Sequence, residues 1–307
     1  MEFLLFLESV RTPFLDFIFN IITHFGDEAV AVVVLTVFLW CGNKSMAYNM
    51  LYCTFFNLGT NQLLKNIFKI SRPWVKNPEL TIVESARDAA SGYSFPSGHT
   101  ANATVLFGCI AAKIKAKWKK TLLILLILLI GFSRMYLGVH SPADVITSWV
   151  LGGIFVVGIS AVFQAAEKSE KTDIILNSAL VLYAIIIVIY MEFMKSPVDE
   201  NSMDGLKNGY TILGLALGLV SARYADKYTI KWETKASVWG QILKCTIGII
   251  LIALTAFVVR QPAKFITGGH YSHYAIRYFA IVAVGGILWP MTFKFWSKFK
   301  AKKEETT

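Results

Sequence analysis

The chain has 307 residues, of which 55% are hydrophobic and only 16% charged, and its formal net charge is +10. Soluble domains carry about 25% charged residues, so composition excludes an ordinary soluble domain and points to a membrane protein. The positive charge is gathered in short clusters between apolar runs, which does not call for a nucleic-acid partner.

In chain order, residues 1–24 lack a basic leader region and carry Glu2, Glu8, Arg11 and Asp16 among apolar residues. No cleavable signal peptide is expected there. An amphipathic helix lying in the interface fits this stretch better than a further span. About nine apolar segments follow that reach or approach the roughly 20 residues a span needs. They cover residues 27–42, 47–70, 97–113, 120–138, 143–164, 173–194, 208–224, 237–259 and 271–294. The expected fold is therefore all-α: a polytopic transmembrane helical bundle of about nine spans plus an N-terminal interfacial helix.

The charge clusters orient this bundle. Lys113, Lys115, Lys117, Lys119 and Lys120 follow the third segment, Lys227, Lys231 and Lys235 follow the seventh, and Lys294, Lys298, Lys300, Lys302 and Lys303 form the tail. Counting spans puts all three clusters, and with them the C-terminus, on the cytoplasmic side, as the positive-inside rule requires. The net acidic loop "KSPVDENSMDGLK" then falls outside, and the expected location is the plasma membrane. Cys41, Cys53, Cys109 and Cys245 lie in apolar segments without CxxC spacing and read as small hydrophobes.

Composition shifts near "QAAEKSEKTD". Before it, polar and ionisable residues crowd the outer ends of the segments; after it, the segments are bland, with Gly-rich faces such as "GLALGLVSA" suited to close helix packing. Residues 1–165 are the expected working part, and residues 166–307 an added module of about four spans.

Three stretches meet at the outer face: "KNIFKISRP", "PSGH" and "SRMYLGVHSPAD". Lys65 and Arg72 are seven residues apart, about two helical turns, and Pro73 predicts that the helix ends at Arg72. Asn57 and Asn61 extend a polar stripe down the same face. "PSGH" reads as a helix start whose free N–H groups suit an anion, with Ser97 as a hydroxyl donor and Gly98 allowing close approach. In "HSPAD", Ser141 is a good N-cap, Pro142 suits the first helical position, and Asp144 lies within reach of His140. Two Arg, one Lys, a hydroxyl and a helix N-terminus suit a phosphoryl group, and two His provide a nucleophile or base and an acid. Interfacial charges are costly, so eight such groups at one face are poorly explained as anchors.

The pattern Lys65–x6–Arg72–Pro73, Pro96–Ser97–Gly98–His99 and Ser133–Arg134–x5–His140–x3–Asp144 resembles the full three-part signature of the type 2 phosphatidic acid phosphatase superfamily. Residues 1–165 are similar in layout to small bacterial undecaprenyl-diphosphate phosphatases. The nine-span total is similar to sphingosine-1-phosphate phosphatases and glucose-6-phosphatases. The resemblance implies a hydrolase of lipid phosphates or diphosphates working at the extracytoplasmic face. In it His140 attacks phosphorus, Asp144 holds its tautomer, and His99 is the acid and then the base. Lys65, Arg72, Ser97, Gly98 and Arg134 would hold the phosphoryl oxygens, with Ser133 in support. Neither metal nor other cofactor is expected, since three cations surround the phosphate and a third metal ligand is missing. The partners implied are a lipid phosphate and the membrane itself. Two other classes share the cation cluster: a transferase passing the phosphoryl group to an acceptor other than water, and a lipid binder or transporter. The last has no need of His140, Asp144 and a second His.

Several residues carry a bland reading beside a functional one. His270 and His273 in "GGHYSH" suit an interfacial anchor or a substrate entrance. Glu192 pairs with Lys195 or faces the pocket. Arg87 and Asp88 lie in a loop, residues 74–95, long enough to cover the site. Trp74, Trp118 and Trp149 read as interface residues.

Overall fold

The computed structural model describes residues 1–194 and 200–297, and all regular structure among them is helical. Lys195, the opening of the acidic loop, and the tail from Lys298 onward, with its cluster of lysines, lie outside the described residues. The chain begins with α1 (Glu2–Ser9), α2 (Pro13–His24), α3 (Glu28–Cys41), α4 (Lys44–Phe68) and the short α5 (Pro73–Lys76). It continues with α6 (Gly98–Lys113), α7 (Lys117–Tyr136), α8 (Pro142–Lys168), α9 (Glu170–Phe193) and α10 (Glu200–Tyr224). Last come α11 (Val238–Val258), α12 (Arg260–Ile266) and α13 (His273–Ala283).

Among the described residues, four helical segments are long and apolar enough to cross a membrane: Pro142–Lys168, Glu170–Phe193, Val238–Ile266 and His273–Trp296. The bent pair α2 and α3 raises this to five if taken as one span. α4, α6, α7 and α10 fall below that standard for physical reasons. α6 has only 16 residues. α4 carries Asn49, Asn57, Asn61 and Asn66, all buried in the protein. Polar residues turned to a protein interior lower a helix's hydropathy without exposing it to lipid.

Two compact units divide the chain. The first comprises Met1–Ala31, Tyr52–Leu176 and Ile186–Gly209. Its centre is the packing of α6 on α7 and α8, made possible by glycines. A Cβ on Gly152 of α8 would meet Thr104 Cγ2 of α6 at 2.6 Å. Gly131 of α7 lies flat against the indole of Trp149, whose Nε1 donates to Ile127 O (3.3 Å). Trp149 is thus a helix-packing residue rather than an interface anchor, whereas Trp118 is 64% exposed. Leu4 and Leu7 of α1 are buried with Leu80, Met135 and Val145. The other faces of α1 and α2 present Phe6, Phe14 and Phe17 outward, each at least 60% exposed.

The second unit comprises Val32–Leu51, Asn177–Ile185 and the described residues from Tyr210. Trp40 is fully buried there, and its indole donates to Gly285 O (2.9 Å). Lys44 Nζ donates to Asp226 Oδ1 and to Trp232 O, both at 2.7 Å. His270 and His273 belong to this unit, and His273 Nδ1 donates to His270 O (2.7 Å). All four cysteines are free thiols.

One boundary differs from the sequence expectation. α4 ends at Phe68, not Arg72, because Lys69 turns into the left-handed region (φ 48°). Its N–H still closes on Lys65 O at 3.0 Å. Arg72 then sits in extended backbone before Pro73, as residues preceding proline do. It reaches the site by this turn, and helical register with Lys65 plays no part.

Candidate active site

All eight residues singled out by the sequence lie in the first unit. "PSGH" forms a capped helix start: Ser97 is the N-cap of α6 and is fully buried. Thr100 Oγ1 donates to Ser97 Oγ (2.9 Å), which leaves the Ser97 O–H for another acceptor. Gly98 opens α6, and a Cβ placed on it would meet nothing within 4 Å, so the backbone there faces open space. "HSPAD" forms a full capping box, with Ser141 N donating to Asp144 Oδ2 (2.7 Å) and Asp144 N to Ser141 Oγ (3.3 Å). The two helix starts are tied together: Ser97 N donates to Asp144 O (3.2 Å), and Ser148 Oγ donates to Ser97 O (2.9 Å).

His140 is 2% exposed and sits between two partners. Arg72 Nη1 lies 2.9 Å from His140 Nε2, and Asp144 Oδ2 lies 3.4 Å from Nδ1. A guanidinium can only donate, so the heavy-atom network assigns the lone pair to Nε2 and the proton to Nδ1. That is the tautomer of a nucleophile or base. Burial pulls the imidazole well below its usual pKa, and Arg72 adds to this, against the opposing pull of Asp144. His140 is therefore neutral at pH 7.

Arg72 is held by more than His140. Its Nε donates to Gly92 O (3.0 Å), Nη1 to Val139 O (3.1 Å) and Nη2 to Ser91 O (2.6 Å). Burial lowers its pKa to about 10, still charged at neutral pH. Lys65 Nζ donates to Tyr93 O in the same loop. The 74–95 loop is thus pinned by the two cations rather than loose. Arg87 pairs with Glu84 on its exposed surface (2.6 Å).

Arg134 is fully buried in α7, and only Nη1 has a partner, Thr23 Oγ1 at 2.7 Å. Its Nε and Nη2 are buried with no hydrogen-bond partner among the described residues. Unpaired donors on a buried guanidinium cost several kcal/mol by rough estimate unless an anion completes them. Ser133, its neighbour, donates its hydroxyl to Ile130 O within α7 (2.7 Å).

Four residues of the site carry no sequence signal. Thr23 orients Arg134. Ser94 Oγ donates to Asp144 Oδ2 (2.7 Å), a third hydrogen bond on that carboxylate oxygen. Asp27 Oδ1 lies 2.7 Å from His99 Nε2, an ion-pair distance whose N–H direction is off hydrogen-bond alignment. Its Oδ2 lies 2.7 Å from His24 Nδ1.

Two stretches of the chain match a known family. Residues 46–168 match the PAP2 superfamily, and residues 210–302 match the transmembrane extension of PAP2 superfamily phosphatases. The chain belongs to the PAP2 superfamily. Its PAP2 domain runs from the first turn of α4 to the end of α8 and contains every signature residue from Lys65 to Asp144. The undecaprenyl-diphosphatase BcrC of Bacillus subtilis is 29% identical over 197 residues, 63% of this chain and 93% of that protein. The dihydrosphingosine 1-phosphate phosphatase YSR3 of Saccharomyces cerevisiae is 28% identical over 153 residues, which is 47% of this chain but only 37% of the yeast protein. Among solved structures, that of Aquifex aeolicus LpxE is 26% identical, with a TM-score of 0.46, and is matched over 52% of this chain and 92% of its own. Thr23, His24 and Asp27 precede the PAP2 match.

Proposed function

We propose that the protein hydrolyses a lipid phosphate or diphosphate monoester at the extracytoplasmic face, through a phospho-histidine on His140. The observation that carries this reading is His140 itself, a buried, neutral imidazole whose Nε2 lone pair is directed by Asp144 behind it. A binding protein has no use for that arrangement.

His140 Nε2 attacks phosphorus in line, and the bond to the leaving oxygen breaks. His99 gives that oxygen a proton. His99, now neutral, takes a proton from a water molecule, which attacks the phospho-histidine and releases phosphate with His140 restored. The unpaired Nε and Nη2 of Arg134, the Ser97 hydroxyl and the backbone at Gly98 receive the phosphoryl oxygens, with Lys65 and Arg72 balancing charge that grows in the transition state. Arg72 Nη1 must leave His140 Nε2 when substrate enters.

The side of the membrane follows from charge. The lysines from Lys113 to Lys120 connect α6 to α7 at the ends opposite His99 and Arg134, so the positive-inside rule puts the site outside. About nine spans then complete the chain, with the exposed Phe face of α1 and α2 in the interface. The names of the relatives favour a lipid phosphate or an isoprenoid diphosphate as substrate. A panel of such lipids, assayed for phosphate release with His140→Ala as control, tests the proposal. Release from none of them, or equal release by the variant, would contradict it.

A further inference from the structure

We propose that Asp27, in the turn between α2 and α3, is the positioning residue for His99, holding Nε2 so that Nδ1 exchanges protons with the leaving oxygen and the attacking water. This inference rests on the acid–base role given to His99 above.

Three independent contacts bring "THFGD" onto the site. Thr23 holds Arg134. Gly26 lies so close to the start of α6 that a Cβ there would meet His99 O at 2.8 Å and His99 Cβ at 3.0 Å. Asp27 then reaches the His99 ring at 2.7 Å. The turn is shaped to this end: Gly26 N donates to Thr23 O (2.9 Å) and Asp27 N to His24 O (3.0 Å). The carboxylate is held from its far side by His24, which is 57% exposed, while Asp27 is 30% and His99 15% exposed. The series runs from the surface inward to the site.

The chemistry needs such a partner. An imidazole serving as acid and then base has two nitrogens and must present the same one in both steps. His140 has Asp144 for this purpose. His99 has no carboxylate within its own motif, and Asp27 supplies one from 72 residues earlier in the chain. The other charged groups acting on the pair are Arg134 and Arg72 on the His99 side and Glu28 beside Asp27. Both Arg are cations, so Asp27 is also the anion that makes a protonated His99 tolerable beside them.

The test uses the full chain in detergent, with an alkyl phosphate lipid and with nitrophenyl phosphate. Asp27→Asn keeps the shape and removes the charge. It should lower kcat on the alkyl phosphate by at least about 10-fold, up to the roughly 10²–10⁴-fold expected for His99→Ala, and leave KM within about threefold. The loss should vanish in a His99→Ala background, because Asp27 then has nothing to position. From nitrophenyl phosphate, whose leaving group needs no proton, Asp27→Asn should still form phospho-enzyme and hydrolyse it slowly. Asp27→Glu, which restores the charge from a displaced position, should recover part of the lost kcat. Wild-type kcat in Asp27→Asn would overturn the inference. So would a loss carried by KM, or one that adds in full to that of His99→Ala. Should Asp27→Asn not be recovered folded, Asp27→Glu decides alone, since a normal kcat there would contradict a positioned carboxylate. Failure of the underlying mechanism looks different: His99→Ala itself would then be active, or His140→Ala would still become labelled.

Discussion

Arg72 Nη1 and His140 Nε2 lie 2.9 Å apart, so in the proposed mechanism the cation that awaits the phosphate also covers the nitrogen that attacks it. The contact fixes the protonation of His140 before substrate arrives. It also means that substrate must displace Arg72 from Nε2.

Arg72→Lys should therefore be far from conservative. A lysine ammonium has three donors on a flexible stem, and cannot hold the carbonyls of Ser91, Gly92 and Val139 while facing His140. We expect kcat to fall by about 10²-fold or more. Steady-state kinetics check this, and a loss below about threefold would show that the fork geometry is dispensable.

The pH profile should have a low acid limb. Burial, and then Arg72, hold the His140 pKa well below 6.5. A group so lowered stays neutral as pH falls through the ordinary histidine range and loses nucleophilicity only further down. The kcat/KM of the wild type should thus be nearly level between pH 7 and pH 6.5, with its acid limb below. A limb centred at or above the ordinary histidine value would contradict a neutral, buried nucleophile.

Gly98→Ala separates folding from function. A Cβ at this position has nothing within 4 Å, so the variant should fold. Removing a glycine from a helix start should even stabilise by about 0.4–1 kcal/mol. The methyl group would occupy space that the phosphoryl oxygens enter, so activity should drop by about 10-fold or more, in KM above all. A thermal melt beside a substrate titration reads both effects. Normal activity would move the phosphate away from the α6 start.

The helix starts at Ser97 and Ser141, the reach of Asp144 to His140, and the grouping of both Arg, the Lys and both His were legible because each motif is local and caps an element in the expected way. Arg72 meets His140 by a route that the spacing does not reveal, since the left-handed turn at Lys69 is not marked by a glycine. Ser94, Thr23 and Asp27 were not legible. Each is an ordinary polar residue that acquires its partner only when the chain folds: Thr23 on Arg134 of α7, Asp27 on His99 of α6 and Ser94 on Asp144 of α8. Trp149 illustrates the same limit: a tryptophan near a helix end looks like an interface anchor until Gly131 is found beneath it.

The account turns on a covalent bond between phosphorus and His140 Nε2. Enzyme given radioactive substrate and quenched in alkaline denaturing detergent should carry label, and the label should be stable to alkali and lost in acid, as a phosphoramidate is. Peptide mapping should place it on His140, and His140→Ala should carry none while remaining folded. Label that persists in His140→Ala, or maps to another residue, would contradict the account directly.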